Sequence, residues 1–162
     1  MDMHTLATRA VALLRDKGLT VAAAESCTGG MIAAAITDVA GASRVFGTGV
    51  VSYSCDCKMK LLGVSADTLA AEGAVCAATA AQMAEGVRRT ADAAVGVSVT
   101  GEAGPVAAEN HPVGTVFIGL ADGDGTVVEE HHFDGDRTAV RRQAACAVLA
   151  LLIRRLEGVE VC

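Results

Sequence analysis

The sequence predicts a single α/β domain of three layers, α/β/α, in which helices cover both faces of a mixed, mostly parallel β-sheet. Two short apolar runs, 19–24 and 93–99, each lead into a glycine-containing turn, which is typical of strands buried on both faces of a parallel sheet. Helical patterns alternate with these runs, and a hairpin signal follows them. The 162 residues suffice for one hydrophobic core, and a hydrophobic content of 52% excludes a disordered chain.

The first part of the chain predicts a helix, a strand and a second helix in that order. Apolar residues at helical spacing predict a helix over 5–17, and Gly18 follows as a stop signal. The apolar run 19–24 predicts a buried strand. A turn with two glycines comes next, and the alanine-rich segment 31–39 predicts the second helix.

The middle of the chain predicts one strand and three helices. The segment 45–54 contains valines and a tyrosine and predicts a strand. The segment 56–62, which carries Lys58, predicts a short helix closed by a glycine. Further helical segments are predicted over 65–72 and 77–91, and the second of these is long and alanine-rich.

The last part of the chain predicts a strand, a hairpin and a long helix. The apolar run 93–99 predicts another buried strand. The segments 113–121 and 126–133 predict two antiparallel strands, because an Asp-Gly-Asp-Gly turn joins them. Asp136 predicts the cap of a final helix over 137–156.

Charge and composition exclude several classes of protein. A net charge of −6 with only 13 basic residues argues against a nucleic-acid partner, because neutralising phosphates requires clustered lysine and arginine. No apolar run approaches the roughly 20 residues of a membrane-spanning helix, and residues 1–10 lack the apolar stretch of a signal peptide. We therefore expect no membrane partner and a cytoplasmic location. The six cysteines lack the paired spacing of metal ribbons or disulfide scaffolds, so reduced thiols are expected.

Two loops at predicted strand ends are candidate ligand sites. In open α/β sheets, ligands bind beyond the carboxyl ends of the strands, where helix N-termini present free N–H groups. The loop 25–30 offers two hydroxyls, a thiol and two glycines, and the loop 100–105 follows the other buried strand. Each loop alone is also consistent with a simple structural connection.

Ser26 and Lys58 supply a nucleophile and a base for a hydrolase that uses neither a metal nor a histidine. Burial lowers the pKa of a lysine, and the neutral amine then accepts a proton from serine. Considered singly, Lys58 is more typical of a solvated surface lysine and Ser26 of a helix cap.

Five separate motifs, in order and at matching spacing across about residues 5–156, carry a resemblance to a known family. They are Ala-Glu-Ser-Cys-Thr-Gly-Gly at 24–30, Tyr53-Ser54 with Lys58, Val-Thr-Gly at 99–101 with Ala-Gly-Pro at 103–105, Pro-Val-Gly-Thr-Val at 112–116, and Gly135-Asp136-Arg137 with Arg141. In these motifs the chain resembles the C-terminal domain of the competence/damage-inducible protein CinA.

The resemblance implies a serine/lysine amidohydrolase with no metal and no other cofactor. Its implied substrate is a small nucleotide, nicotinamide mononucleotide, which it converts to nicotinic acid mononucleotide and ammonia in pyridine-nucleotide salvage. Ser26 would be the nucleophile and Lys58 the general base, while Tyr53 and Thr100 would orient the reacting centre.

The remaining implied site residues bind the substrate. Gly101 belongs to the second loop, and Arg137 and Arg141 would bind the phosphate or steady the acidic edge of the site. We also expect backbone N–H groups of the turn Thr28-Gly29-Gly30 to stabilise the oxyanion, a contribution worth roughly 3 kcal/mol per donor.

Three departures from the family pattern bear on the substrate. Cys55 stands where relatives carry asparagine, Glu102 stands where they carry an aliphatic residue, and the loop 106–111 is shorter and poorer in glycine. Glu102 would either pair with Lys58, keeping the amine charged, or face a pyridinium cation. These departures leave a second reading open, in which the chain is a catalytically weakened module that binds a nucleotide for regulation.

Other readings of individual residues are weaker. A buried packing role fits Cys27 better than a catalytic one. Cys55 and Cys57 with a histidine (His111, or the pair at 131–132) make only a poor metal motif. An acidic chain with 2% aromatic residues offers nothing for DNA uptake. The small side chains of the alanine-rich helices favour packing against a second copy, so a homodimer is expected.

Overall fold

A computed structural model describes residues 1–161 and contains five strands and six α-helices. The strands are β1 (Val21–Glu25), β2 (Phe46–Val51), β3 (Val95–Gly101), β4 (Thr115–Asp122) and β5 (Gly125–His132). The helices are α1 (Met3–Lys17), α2 (Met31–Thr37), α3 (Cys55–Leu62), α4 (Ala66–Glu72), α5 (Ala77–Ala91) and α6 (Arg137–Leu156), with a short 3₁₀ turn at Ala42–Arg44.

The five strands form one mixed sheet in the order β2-β1-β3-β4-β5. β1 pairs in parallel with both β2 and β3, whereas β3 pairs with β4, and β4 with β5, in antiparallel fashion. The predicted α/β fold with a mixed sheet is confirmed. Four of the five strands run in the same direction and β4 alone is reversed, so the pairings of β4 with β3 and β5 are the antiparallel ones.

Helices cover both faces of the sheet and produce the predicted three layers. On one face α1, α2 and α6 pack on the sheet through residues such as Ala23, Val97 and Ile118. On the other face α5 packs closely, since Gly96 has no side chain where a Cβ would lie 2.2 Å from the Ala84 carbonyl oxygen. Because side chains alternate along the strands, one face contributes to a single large apolar cluster and the other face contributes to two smaller ones.

The predicted elements are all present, with bounds that shift by a few residues. The largest shift is in β2, which ends at Val51 rather than at Ser54. The Ser52 N–H makes the last hydrogen bond to β1, at the Glu25 carbonyl oxygen where β1 ends, and Ser54 becomes the N-cap of α3. Within residues 1–161, no helix combines the length and the apolar composition needed to cross a bilayer.

The topology brings the ends of β1 and β3 together at one edge of the sheet. β1 leads to β2 through α2 on one face, and β2 leads to β3 through helices on the other face, so the chain changes direction between β1 and β3. The pair Glu25 and Val99 closes the β1–β3 ladder. Ser26 and Thr100 follow immediately, at the crevice where α/β folds bind ligands.

Candidate active site

A cavity of about 200 Å³ opens at this edge of the sheet. Residues of both predicted loops line it, together with residues from α3 and from the segment before α5. Its lining residues are Ser26, Cys27, Tyr53, Cys55, Lys58, Ala74, Val75, Thr100, Gly101, Glu102, Ala103, Gly104, Val106, Ala108, Glu109 and Arg137.

Ser26 and Lys58, which are 32 residues apart in the chain, meet in this cavity. The Nζ atom of Lys58 lies 2.9 Å from the Oγ atom of Ser26. The same amine donates to the Ser52 carbonyl oxygen at 2.6 Å. Only 1% of Lys58 is exposed, so the structure places a lysine amine against a serine hydroxyl inside the fold.

The local sequence explains how Lys58 reaches this position. The Ser54 side chain accepts a hydrogen bond from the Cys57 N–H and so starts α3 directly after β2. Lys58 therefore lies in the first turn of α3 and extends back towards the end of β1. Ser52, which anchors to the Glu25 carbonyl oxygen, supplies the acceptor that holds the amine.

Lys58 has no carboxylate counter-ion within 4.0 Å among residues 1–161. Burial lowers the pKa of Lys58 below its ordinary value of 10.5, because the ammonium ion loses its hydration, while the more distant Glu109 and nearby thiols act weakly in the opposite direction. Burial thus favours the neutral amine, which is the form that can accept a proton.

Glu25 anchors the turn that carries Ser26, a role that sequence reasoning missed. Its carboxylate accepts hydrogen bonds from the Thr28 hydroxyl at 2.6 Å and from the N–H groups of Ile32 and Ala33, both at 3.0 Å. The N-cap residue of α2, Gly30, has no side chain to do this. An acidic residue ahead of a helix that starts after glycine is the signal that could have revealed it.

Arg141 holds the same turn from the opposite side. Its Nε atom donates to the Cys27 carbonyl oxygen at 2.9 Å, and its Nη2 atom donates to the Thr28 carbonyl oxygen at 3.0 Å. Gly29, at φ 60°, lies against this guanidinium, with an ideal Cβ 3.1 Å from Nη2. Arg141 therefore supports the loop rather than lining the cavity.

The geometry of the turn bears on the roles predicted for its residues, which stay predictions. Thr28, Gly29 and Gly30 do not line the cavity. The Thr28 hydroxyl is committed to Glu25, and the Gly29 N–H donates to the Ser26 carbonyl oxygen at 3.0 Å. The N–H groups of Cys27, Thr28 and Gly30 have no acceptor within residues 1–161, and of these three residues only Cys27 lines the cavity.

Cys27 is buried beside Ser26, and burial raises the pKa of its thiol to about 11. The thiol is consequently neutral at physiological pH and is a poor nucleophile. This state fits the packing role that we predicted for Cys27.

Thr100 and Gly101 form the cavity wall contributed by β3. The Thr100 hydroxyl donates to the Ala74 carbonyl oxygen at 2.8 Å, which ties β3 to the segment before α5. Gly101 packs closely on β4, because an ideal Cβ would lie 2.7 Å from a methyl group of Val116. Both residues line the cavity, with the Thr100 hydroxyl proton directed to the wall, and their roles towards a substrate stay predictions.

Tyr53 and Arg137 lie at the exposed rim of the cavity. Arg137 donates through Nη2 to the Tyr53 hydroxyl and through Nη1 to the Gly104 carbonyl oxygen, both at 2.7 Å. The structure thus brings Tyr53, Ser26, Lys58, Thr100 and Arg137 to one cavity.

Two carboxylates hold the opposite wall of the cavity. Glu102 accepts hydrogen bonds from the N–H groups of Ala108 and Glu109, both at 2.8 Å. Glu109 in turn accepts from the N–H groups of Ala74 at 2.7 Å and Val75 at 3.0 Å. Glu102 therefore does not pair with Lys58, which was one of the two placements we considered.

Within residues 1–161, no three side chains of His, Cys, Asp or Glu come together at metal-ligand distances. Cys55 and Cys57 thus gain no histidine partner from the fold.

Comparisons with known proteins agree with this architecture. A family model described as the CinA C-terminal domain matches residues 3–156. A CinA-like protein of Geobacter sulfurreducens is 47% identical over 154 residues, which make up 94% of this chain and 37% of that protein. A CinA-like protein of Frankia casuarinae is 49% identical over 146 residues, 90% of this chain and 34% of that protein. The chain thus spans little more than a third of the length of these curated relatives.

Two solved structures match over nearly their whole length. The crystal structure of a competence-damaged protein (CinA) superfamily protein from Klebsiella pneumoniae has a TM-score of 0.95 at 34% identity and covers 98% of this chain and 99% of its own. That of a competence/damage inducible protein from Agrobacterium tumefaciens has a TM-score of 0.92 at 39% identity and covers 97% and 96%. With the family model matching nearly the whole chain, this protein belongs to the CinA C-terminal domain family.

Proposed function

We propose that this protein is a serine/lysine amidohydrolase that deamidates nicotinamide mononucleotide to nicotinic acid mononucleotide and ammonia. The observation that carries the proposal is the 2.9 Å contact between Lys58 Nζ and Ser26 Oγ inside a cavity. A serine needs a nearby base to become a nucleophile, and a buried lysine without a counter-ion supplies one.

In the first half of the reaction Lys58 takes the Ser26 proton as the serine oxygen attacks the carboxamide carbon. A C–O bond forms, and the carbonyl electron pair moves to oxygen as an oxyanion. The Cys27 N–H, free of protein acceptors and next to the nucleophile, is the backbone donor best placed to stabilise this charge. The Lys58 ammonium then gives its proton to the leaving nitrogen, the C–N bond breaks, and ammonia leaves.

In the second half a water molecule replaces the amine. Lys58 accepts a proton from water as the water oxygen attacks the acyl carbon, and it returns that proton to Ser26 Oγ when the ester bond breaks. The acid product leaves, and both residues regain their starting state. The same two side chains serve both halves, so the mechanism requires no metal ion.

The substrate assignment draws on the family resemblance and on the rim of the cavity. Arg137 is exposed beside Tyr53 and supplies a guanidinium that suits a phosphate group. The carboxamide would then lie towards the buried dyad and the phosphate towards solvent.

The test is an assay of ammonia released from nicotinamide mononucleotide by the purified chain. We expect turnover by the wild type and a loss of about 10³-fold or more in kcat for Ser26→Ala and Lys58→Met. Lys60→Met removes an exposed lysine of the same helix and should retain activity. Full activity in Ser26→Ala or Lys58→Met would remove that residue from the mechanism.

The alternative is a nucleotide-binding module without turnover, and the exposed Cys55 and the acidic Glu102 in the cavity are the residues that favour it. Tight binding of the nucleotide without ammonia release would identify it. The homodimer and the cytoplasmic location stay predictions, and the mass of the protein in solution tests the first.

A further inference from the structure

We infer that Glu102 and Glu109 select a substrate whose carboxamide is carried by a positively charged ring, in preference to a neutral ring of the same shape. This inference rests on the proposed function, because it concerns the ligand of the same cavity. The two residues together are called the acidic wall.

The acidic wall is built into the cavity and is held firmly. Each of the four carboxylate oxygens accepts one backbone N–H, at distances of 2.7 to 3.0 Å. Glu102 is 3% exposed, and both residues line the cavity that contains Ser26 and Lys58. The carboxylates are therefore fixed in place before any ligand arrives.

The negative charge of the acidic wall has no counter-ion. Within residues 1–161, no nitrogen of Lys, Arg or His lies within 4.0 Å of either carboxylate. Lys58, which lines the same cavity, is among the nitrogens that lie beyond this distance. The two carboxylates are buried or half-buried, and their hydrogen-bond donors are backbone N–H groups that carry no net charge. They therefore leave a negative potential in the cavity, where screening by water is weak.

A cationic ring is the group that this potential favours. Each carboxylate oxygen accepts one hydrogen bond and keeps a lone pair, so the wall attracts positive charge without losing its own contacts. The dyad lies in the same cavity, and a carboxamide held at Ser26 would place its ring near the wall. An amide on a neutral ring gains nothing from this charge and still displaces water from the carboxylates.

The test compares two forms of one nucleotide, nicotinamide mononucleotide with its cationic ring and the reduced 1,4-dihydro form with a neutral ring. Calorimetric titration of Ser26→Ala, which cannot turn either form over, gives the two dissociation constants. Opposite charges across about 6 Å of a partly buried site justify an expected preference of about tenfold or more for the cationic form. Equal affinities, tighter binding of the neutral form, or binding of neither would overturn the inference.

Two variants in the Ser26→Ala background assign the preference to the wall. Glu102→Gln should reduce the preference for the cationic form. Its amide NH₂ group would face one backbone N–H of the loop, so one hydrogen bond of the loop is lost as well. Val106→Lys adds a positive charge to the cavity lining at a residue that is 82% exposed and leaves the wall's hydrogen bonds intact, and it should also reduce the preference. Leu61→Lys makes the same charge change on the outer surface of α3 and should not.

The inference and the proposed function can fail separately. Ammonia release by the wild type without a charge preference in binding would leave the amidase intact and overturn the role of the acidic wall. A clear preference for the cationic form without ammonia release would support the wall and overturn the amidase.

Discussion

The Lys58 amine donates a hydrogen bond to the Ser52 carbonyl oxygen at 2.6 Å, and this contact orients the amine. With one N–H fixed on Ser52, a neutral amine can present its lone pair to the Ser26 hydroxyl 2.9 Å away. Ser52 belongs to the short connection between β2 and α3, so the geometry of the dyad depends on where that strand ends.

The pH dependence of turnover should report the protonation of Lys58. Only the neutral amine accepts the Ser26 proton, so kcat/KM is expected to rise with pH and to level off above the Lys58 pKa. Burial lowers that pKa, so the plateau should be reached below 10.5. Initial rates across a pH series check this. A rate that still climbs at pH 10.5 would show an ordinary, solvated lysine.

Protein stability should depend on the same proton. Between the lowered pKa of folded Lys58 and the value of 10.5 in the unfolded chain, the unfolded state binds more protons, so stability rises with pH. Below the folded pKa the cost of burying the ammonium is present in full. The free energy of unfolding of the wild type, relative to Lys58→Met, should therefore increase with pH through this window.

Urea denaturation of both proteins at several pH values measures that difference. Lys60→Met, at an exposed position of the same helix, is the matched control and should differ from the wild type by a constant amount. A difference for Lys58→Met that is equally constant would mean that the folded pKa of Lys58 is not lowered.

Glu25→Gln should impair both stability and catalysis. The glutamine amide keeps one acceptor oxygen, and an NH₂ group takes the place of the other. That NH₂ group then faces hydrogen-bond donors, either Thr28 and Ile32 or, in the other orientation, Ala33. A buried donor left without an acceptor costs about 2 kcal/mol, so the free energy of unfolding should fall by about that amount. Because the turn carries Ser26, kcat should fall as well.

Chemical denaturation and initial rates test this pair of effects together. Asp38→Asn changes an exposed carboxylate at the other end of α2 and should alter neither. Unchanged kcat in a destabilised Glu25→Gln would show that the capping carboxylate supports the helix without positioning the nucleophile.

Arg137 and Arg141, both on α6, should have separable effects. Arg137 lies at the rim of the cavity, so Arg137→Gln is expected to raise KM for nicotinamide mononucleotide by about tenfold, the scale of one charge-assisted hydrogen bond. Nicotinamide riboside, which lacks the phosphate, should show little change. Arg141 instead holds the carbonyl groups of Cys27 and Thr28, so Arg141→Gln should lower kcat and stability.

Steady-state kinetics of both variants on both substrates distinguish these roles. If Arg141→Gln raises KM for the nucleotide alone, then Arg141 binds phosphate after all. If Arg137→Gln affects both substrates equally, its contact with Tyr53 rather than a phosphate contact is what matters.

The sequence allowed most of the fold to be predicted, because the elements follow from local patterns. Each of these signals involves residues that lie close together in the sequence, as helical spacing, glycine stops and side-chain caps such as Asp136 do. The end of β2 was placed too late, since the strand ends where its partner β1 ends at Glu25, a residue distant in sequence.

The candidate site was less accessible to sequence reasoning for the same physical reason. By itself Lys58 resembles a surface lysine, and its burial depends on how α3 packs over β1. The partners of Glu109 and Arg141 are backbone groups 34 to 35 and 113 to 114 residues away, and backbone groups leave no trace in a residue pattern. The family resemblance identified Arg137 and Arg141 as site residues. It could not show that Arg137 lies at the rim of the cavity whereas Arg141 supports the loop.

The thiols at the cavity should differ sharply in reactivity. Cys55 is exposed and lines the cavity, whereas Cys27 is 5% exposed and has a pKa of about 11, so little of it is thiolate. Iodoacetamide should therefore inactivate the wild type by modifying Cys55 and obstructing the cavity. The nucleotide should slow this inactivation.

Inactivation rates of two variants, with mass spectrometry of the modified peptides, test the assignment. Cys55→Ser should stay active and resist the reagent, because no exposed thiol then lines the cavity. Cys57→Ser alters a half-buried thiol of the same helix that is outside the cavity lining, and it should be inactivated like the wild type. Inactivation of Cys55→Ser at the wild-type rate, with the label on Cys27, would mean that the Cys27 thiol is accessible and ionised, which contradicts its burial beside Ser26.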